Sequence, residues 1–292
     1  MKKENTNWYI ILILTMAIWG TQHPALKVLS GKVNPSLFNS LRFFIAILVL
    51  LPFVVKNRIK IEKKNLGKIL FLGVIGISLF GMLNIIGINL STAINNSILI
   101  NSWPLMLVVL APLLIKEKIS KKALLGVFVG FVGVIIILTN GKGILDIIKS
   151  KFFIGNLIIL LSALCTAIYA MYNKKYIKKY GGLEITFWSV VSGFLLLFIY
   201  SLASGDFFEI TNISFNSFLL ILHVAVFTTA LAWVVRFKSI DKIGLIQTSA
   251  FMFLVPIAGI LSSNLFLGEQ ITIFTLIGAF FILSGIYLAQ KI

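Results

Sequence analysis

Residues 104–133 read PLMLVVLAPLLIKEKISKKALLGVFVGFVG, and residues 256–285 read PIAGILSSNLFLGEQITIFTLIGAFFILSG. Laid one over the other without a gap, at an offset of 152, Pro104 meets Pro256, Glu117 meets Glu269, Gly126 meets Gly278 and Gly133 meets Gly285. Upstream, Ser97 meets Ser249 at the same offset. Near the start of each half the offset drifts to 150, and Ala17-Ile18-Trp19-Gly20 meets Ala167-Ile168-Tyr169-Ala170. The chain therefore repeats itself, and the period is too long for a solenoid of small units.

The medium in which the repeat folds follows from composition. Of the 292 residues, 59% are hydrophobic and 12% charged, against roughly 45–50% and about 25% in soluble domains. The mean hydropathy is +1.04. So apolar a chain cannot cover a core with polar surface, and its solvent is largely lipid. A soluble enzyme and a soluble nucleic-acid-binding domain are excluded.

Ten apolar runs are long enough, or nearly so, to cross a bilayer. They fall at about 8–27, 35–55, 66–84, 93–115, 123–139, 153–173, 184–203, 214–235, 245–267 and 272–290. The third and fifth are short. The first is read as a retained helix, because it has no A-x-A cleavage pattern and has an internal counterpart in the repeat. With the N-terminus placed inside, twenty of the 26 Lys and Arg fall in inside segments, Arg236, Lys238 and Lys242 among them, and five fall outside. Arg42 alone is left within a span. This positive-inside bias predicts both termini cytoplasmic, in a bacterial or archaeal cell membrane. It also accounts for the net charge of +17 without nucleic acid, since the charges are spread over many short loops. Cys165 is the single cysteine and carries no disulfide argument.

Five spans per half is an odd number, so the second half enters the membrane from the opposite side. The expected fold is an all-α polytopic membrane protein of ten transmembrane helices in a 5+5 inverted repeat. The expected division is a first repeat over 1–139, a linker over 140–152 and a second repeat over 153–292. Inverted repeats are the architecture of secondary transporters, because two near-equivalent halves can exchange conformations and turn an inward-open cavity outward.

The same residues carry a family resemblance. The first half has Trp19-Gly20, Lys27, Pro35, Arg42-Phe43, Pro104-Leu105, Glu117 and Gly126, and the second ends with Pro256, Gly268-Glu269, Gly278 and Gly285. In this pattern the chain resembles the EamA family of the drug/metabolite transporter superfamily. The second half departs from it, with Tyr169-Ala170 in place of Trp-Gly and no arginine equivalent to Arg42. The resemblance implies ten helices, a central cavity and export of small metabolites or amino acids, with no particular substrate.

Polar and aromatic residues within the spans are the candidate substrate contacts. Arg42 has no acid at its depth, since all nine acids lie at span ends or in loops. Its partner is therefore either a substrate carboxylate, gripped bidentately, or water and helix-end carbonyls reached by snorkelling. His23 can relay a proton or act as a plain hydrogen-bond partner. Trp19 and Tyr169, equivalent in the repeat, and Trp103, Trp188 and Trp233 are candidates for an aromatic cage or for packing. Trp8, Tyr9 and Tyr287 belong to the interfacial belt. Asn101 precedes Pro104, and Gln247 and Ser249 precede Pro256. Proline frees a carbonyl about one turn back, and paired broken helices point to a transporter's binding site. Pro104 and Pro256 are thus the expected helix breaks, and Asn101 and Gln247 the expected cavity-lining amides. Glu117 and Glu269 are expected to cap the helices that follow them, and Lys27 and Lys32 to anchor the interface.

The expectation is a secondary transporter, not an enzyme, that exports a small metabolite or amino acid. The alternatives are a carrier for organic cations or quaternary amines, a non-transport membrane subunit, and a lipid-acting enzyme. The last would need clustered acids or a nucleophile–base pair, and here the acids are scattered while the two histidines lie 200 residues apart. No cofactor and no metal is expected. The partners are a small-molecule substrate and membrane lipids, with a homodimer left open.

Overall fold

Apolar segments in lipid must satisfy their backbone groups internally, and the α-helix does this within a single segment. The computed structural model describes residues 3–57, 59–115, 120–141, 150–243, 248 and 251–290. Eight helices are long and apolar enough to cross a membrane: α1 Asn7–Ser30, α2 Pro35–Asn57, α3 Lys63–Asn89, α4 Ala93–Leu114, α5 Lys121–Thr139, α6 Phe153–Tyr180, α7 Gly182–Ala203 and α8 Phe215–Ile240. Two shorter apolar helices follow, α9 Leu254–Leu267 and α10 Ile273–Leu288. The chain is an all-α, multi-pass membrane protein. The third span, expected to be short, proves among the longest, and α8 runs five residues past its expected end at 235.

Local chemistry sets several ends. The side chains of Thr92, Ser120 and Ser214 cap α4, α5 and α8 by accepting the N–H groups of Asn95, Ala123 and Ser217. Asn140 ends α5 and Gly268 ends α9, both in the left-handed conformation, φ 46° and 66°, which frees the chain to leave the helix.

The helices pack in pairs that interchange when the halves are exchanged. α5 lies along α10, α2 along α7, and α4 against α9. α1 packs on α8 and α9, as α6 packs on α3 and α4; α2 packs on α8, as α7 packs on α3. The seam between α5 and α10 fixes the sense of the repeat. A Cβ added to Gly133 would lie 2.6 Å from the Gly278 carbonyl oxygen, and one added to Gly285 would lie 2.5 Å from that of Gly126. The early glycine of each helix thus faces the late glycine of the other, so the equivalent helices run antiparallel and the repeat is inverted. In lipid there is no hydrophobic drive between helices, and close backbone approach through such small residues supplies the packing.

The exchange extends to an irregularity. α3 contains a π-helical segment at Val74–Leu79 and α8 one at His223–Leu231. Shifted by the 152 residues of the repeat, the first falls on 226–231, inside the second. A π turn carries an extra residue and is frequent at functional sites.

Side-chain hydrogen bonds sort the turns onto two faces. On one face Asn57 Nδ2 donates to Glu184 at 2.5 Å and Asn65 Nδ2 to the Tyr180 hydroxyl at 2.8 Å. Lys179 donates to Glu62 there, and with Lys64 it holds the Glu62 carboxyl below the usual carboxylate range. On the opposite face Asn34 Nδ2 donates to Asp206 at 3.0 Å and to Glu209 at 3.1 Å, and Ser36 Oγ donates to Asp206 at 2.5 Å. Glu184 stands 150 residues after Asn34. Each face is thus tied by the start of α2 or α7 to the turn after the other of these two helices, with donor and acceptor roles reversed.

Candidate functional site

Between the halves lies a cavity of about 180 Å³. Among the described residues, nine of its lining residues come from each half. α1 contributes Trp19 and Gln22, α2 Arg42, α3 Gly76, Ile77 and Phe80, and α4 Ile100, Asn101 and Trp103. α6 contributes Thr166 and Tyr169, α7 Thr186, and α8 Thr228, Trp233, Arg236 and Phe237, with Met252 and Val255 at the start of α9. α5 and α10 supply none of these, which leaves them as the seam behind the site. A smaller space of about 80 Å³ adjoins it, sharing Asn101, Trp103, Arg236 and Met252 and reaching Pro104 and Pro256.

Both helices that carry these prolines change course beside the cavity. α4 is α-helical over Ala93–Leu99, tightens to a 3₁₀ turn over Ile100–Ser102 and resumes at Trp103, with Pro104 second in the new segment. Asn101 Nδ2 takes the Ser97 carbonyl at 2.7 Å and Ser102 Oγ that of Leu99 at 2.7 Å. Pro256 stands third in α9, just after a turn at Met252–Phe253. Gln247 and Ser249 lie outside the described residues, as does Glu117.

Arg42 is buried, with 6% of its surface exposed. Its Nε donates to Thr229 Oγ1 at 2.9 Å. Thr229 Oγ1 donates in turn to the Val224 carbonyl at 2.8 Å, five residues back, and Thr228 Oγ1 reaches the same carbonyl at 2.9 Å. The wide π turn of α8 thereby becomes the seat of Arg42. Arg42 does not snorkel outward, and among the described residues it meets no acid; the Thr229 hydroxyl holds its Nε.

Arg236 is the residue that sequence reasoning placed wrongly. It was counted as an inside loop charge next to Lys238 and Lys242, but α8 continues to Ile240 and Arg236 lines both cavities. Its guanidinium lies 5.8 Å from the centroid of the Phe237 ring, a cation–π contact. No Asp or Glu lines either space among the described residues.

The aromatic wall is fixed from behind. The Tyr169 hydroxyl donates to Ser189 Oγ at 3.1 Å. The base of its ring lies against Gly76 in the π segment of α3, where an added Cβ would come within 2.3 Å of the ring. Trp19, Trp103, Tyr169 and Trp233 meet at the cavity, whereas Trp188 packs edge-on against Phe187, centroids 5.6 Å apart.

His23 does not line the cavity. It is buried, and Asn96 Nδ2 lies 3.0 Å from its Nδ1. Asn84 Nδ2 donates to Asn96 Oδ1 at 3.2 Å, which orients the Asn96 amide and leaves His23 Nδ1 as the acceptor. That assignment from the network puts the His23 proton on Nε2. His223, near the start of the π segment, sits 2.8 Å from Thr21 Oγ1.

Family comparison accords with this architecture. The family model for the EamA-like transporter family matches twice, over residues 6–139 and 153–290. The chain belongs to the EamA-like transporter family. An uncharacterized transporter of Bacillus subtilis (strain 168), YyaM, is 28% identical over 99% of this chain and 95% of its own. An uncharacterized transporter of Archaeoglobus fulgidus is 25% identical over 97% of this chain and 98% of its own. A crystal structure of 14% identity superposes with a TM-score of 0.66, over 96% of this chain and 95% of that one; it bears on the fold alone.

In this EamA-like transporter, Glu269 caps a helix other than the one expected. Its two carboxylate oxygens accept the N–H groups of Ala93 and Ile94, each at 2.8 Å. These begin α4, in the other half, not α10, which follows Glu269 in the chain. Lys27 is likewise more than an interface anchor. Its Nζ donates to the carbonyls of Ile88, Asn89 and Ser91 at 2.8, 2.9 and 2.5 Å. Both roles are tertiary, and neither can be inferred from neighbouring residues. A larger cavity, about 980 Å³, opens beside Glu269 and shares no lining residue with the central one.

Proposed function

We propose that this membrane transporter is a secondary carrier of the cell membrane that exports a small metabolite or amino acid by alternating access through the central cavity. The halves 1–139 and 153–292, joined by 140–152, are its two moving units, with ten crossings and cytoplasmic termini. The observation that carries this reading is the equal share of the two inverted halves in the cavity lining. A site built at their interface is opened to one side or the other when the halves rock. The ties on each face, Asn57 with Glu184 and Asn34 with Asp206, are contacts that such rocking would break in turn. The volume, about 180 Å³, is below the ~300–1,000 Å³ of drug-sized pockets, which favours a small metabolite.

Purified protein reconstituted into vesicles tests this. A labelled substrate outside should enter faster when unlabelled substrate is trapped inside, and the flux should saturate. Flux that rises linearly with concentration, indifferent to the opposite side, would mean a pore.

A further inference from the structure

We infer that the cargo of the central cavity is a small organic acid of net negative charge, and that Arg236 and Arg42 are the residues that select it. The inference rests on the carrier reading above and adds the charge class of the substrate.

The two guanidiniums reach the cavity from different helices, Arg42 from α2 and Arg236 from α8, and α8 also supplies the hydroxyl that holds Arg42. Thr229, which holds Arg42, and Arg236 are seven residues apart on α8. That is about 10 Å along the axis. Among the described residues Arg42 makes one side-chain hydrogen bond, through Nε, and its guanidinium lies 5.4 Å from the centroid of the Phe43 ring. Arg236 has no hydrogen-bond acceptor among the described residues; its guanidinium lies against the Phe237 ring and near Tyr169. Among the described residues no carboxylate lines the cavity to neutralise either charge. Two cations without a counter-ion in a space walled by tryptophan and tyrosine create a strong positive potential there.

This arrangement separates ligand classes. A carboxylate meets forked donors, and an apolar body lies against the rings. A quaternary ammonium would find aromatic faces, but two guanidiniums repel it. A zwitterion would gain at its carboxylate and lose at its ammonium, for which the lining offers no anionic partner. The repeat does not duplicate the charges: Ser192 stands 150 residues after Arg42, and Asn84 stands 152 before Arg236. The pair of charges therefore does not follow from the repeat.

The test uses compounds that share a phenyl group and differ in charge. Phenylsuccinate, phenylacetate, phenylalanine and phenethylamine run from dianion to cation. Thermal stability of the purified protein is measured against each, since a ligand of the folded state raises it by mass action. Wild type should be stabilised most by phenylsuccinate, then phenylacetate, and not by phenethylamine. Arg236→Gln should weaken apparent affinity for the acids about tenfold or more, and Arg236→Lys should recover part of it. Arg42→Gln should do the same where it elutes as a folded monodisperse species; Arg236→Gln carries the test where it does not. Stabilisation by phenylalanine or phenethylamine equal to that by the acids would overturn the inference. So would acid binding that both variants leave unchanged, or no acid binding by wild type.

Vesicle flux distinguishes this failure from that of the carrier reading. Trans-stimulated phenylalanine flux, indifferent to Arg236→Gln, keeps the carrier and overturns the charge class. Arginine-dependent acid binding with no trans-stimulated flux keeps the charge class and overturns the carrier.

Discussion

Lys27 and Glu269 close one helix junction from its two sides. Lys27 gathers the last carbonyls of α3 and the adjoining turn, while Glu269 takes the first N–H groups of α4. Each helix end exposes unsatisfied backbone groups of one sign, and here a cation and an anion from distant parts of the chain satisfy both.

Removing either partner leaves buried backbone groups without compensation. Glu269→Ala should lower stability by on the order of 2 kcal/mol, the cost of a lost double cap, and Glu269→Gln by less, because one acceptor survives. Thermal unfolding in detergent reads this. Lys27→Met should act on the same junction, so the double variant should fall short of the sum of the singles.

The glycine seam should resist any side chain. Gly133→Leu or Gly285→Leu forces α5 and α10 apart and should cost roughly 1–3 kcal/mol or more. Gly31, where an added Cβ meets nothing within 4 Å, is the control, and Gly31→Ala should leave the unfolding temperature within about a degree or two.

Thr229→Val keeps the shape of the side chain and removes the acceptor for Arg42. A hydrogen bond to a charged group is worth about 1.5–3 kcal/mol, so stability should drop by that order and ligand affinity should fall with it. Thr229→Ser, which restores the hydroxyl, should restore both.

The face ties should bias the protein in opposite directions. Asn101→Cys, in a Cys165→Ser background, gives a thiol at the cavity that a membrane-impermeant reagent can find. Asp206→Asn should speed labelling from the face of the α7–α8 turn, and Asn57→Ala from the opposite face. Equal changes from both sides for either variant would count against alternating access.

Gly76→Ala should push the Tyr169 ring into the cavity or tilt it away, and so weaken ligand binding. Tyr169→Phe should cost about 1 kcal/mol, for the hydroxyl's hydrogen bonding, with little effect on the cavity's shape. Comparing the two separates ring position from hydroxyl.

What could be read in advance followed from residues that are costly in lipid. Trp19, Arg42, Asn101, Trp103 and Tyr169 stand out within apolar runs, and the structure brings all five to one cavity. Arg236 was hidden because it adjoins Lys238 near a span's end, where basic residues ordinarily mark a loop. The extra turn of α8 beyond residue 235, which begins with Arg236, is not encoded by any local signal. His23 looked like a cavity residue for the same reason as Arg42, but its partner Asn96 comes from α4, a pairing that a one-dimensional reading cannot see. The π segments have no sequence marker, although Gly76, a lone small residue between isoleucines, was a usable hint.

The α5–α10 seam has a symmetry of its own. The contact from Gly133 to Gly278 becomes, on exchange of the halves, the contact from Gly285 to Gly126. Such a surface is isologous: each half carries a patch complementary to an equivalent patch on the other. A single half could thus dock on a second copy of itself through this seam, provided the two inserted with opposite orientation. Fusing the halves into one chain removes that requirement for dual insertion, because the odd number of crossings before residue 153 turns the second half over every time.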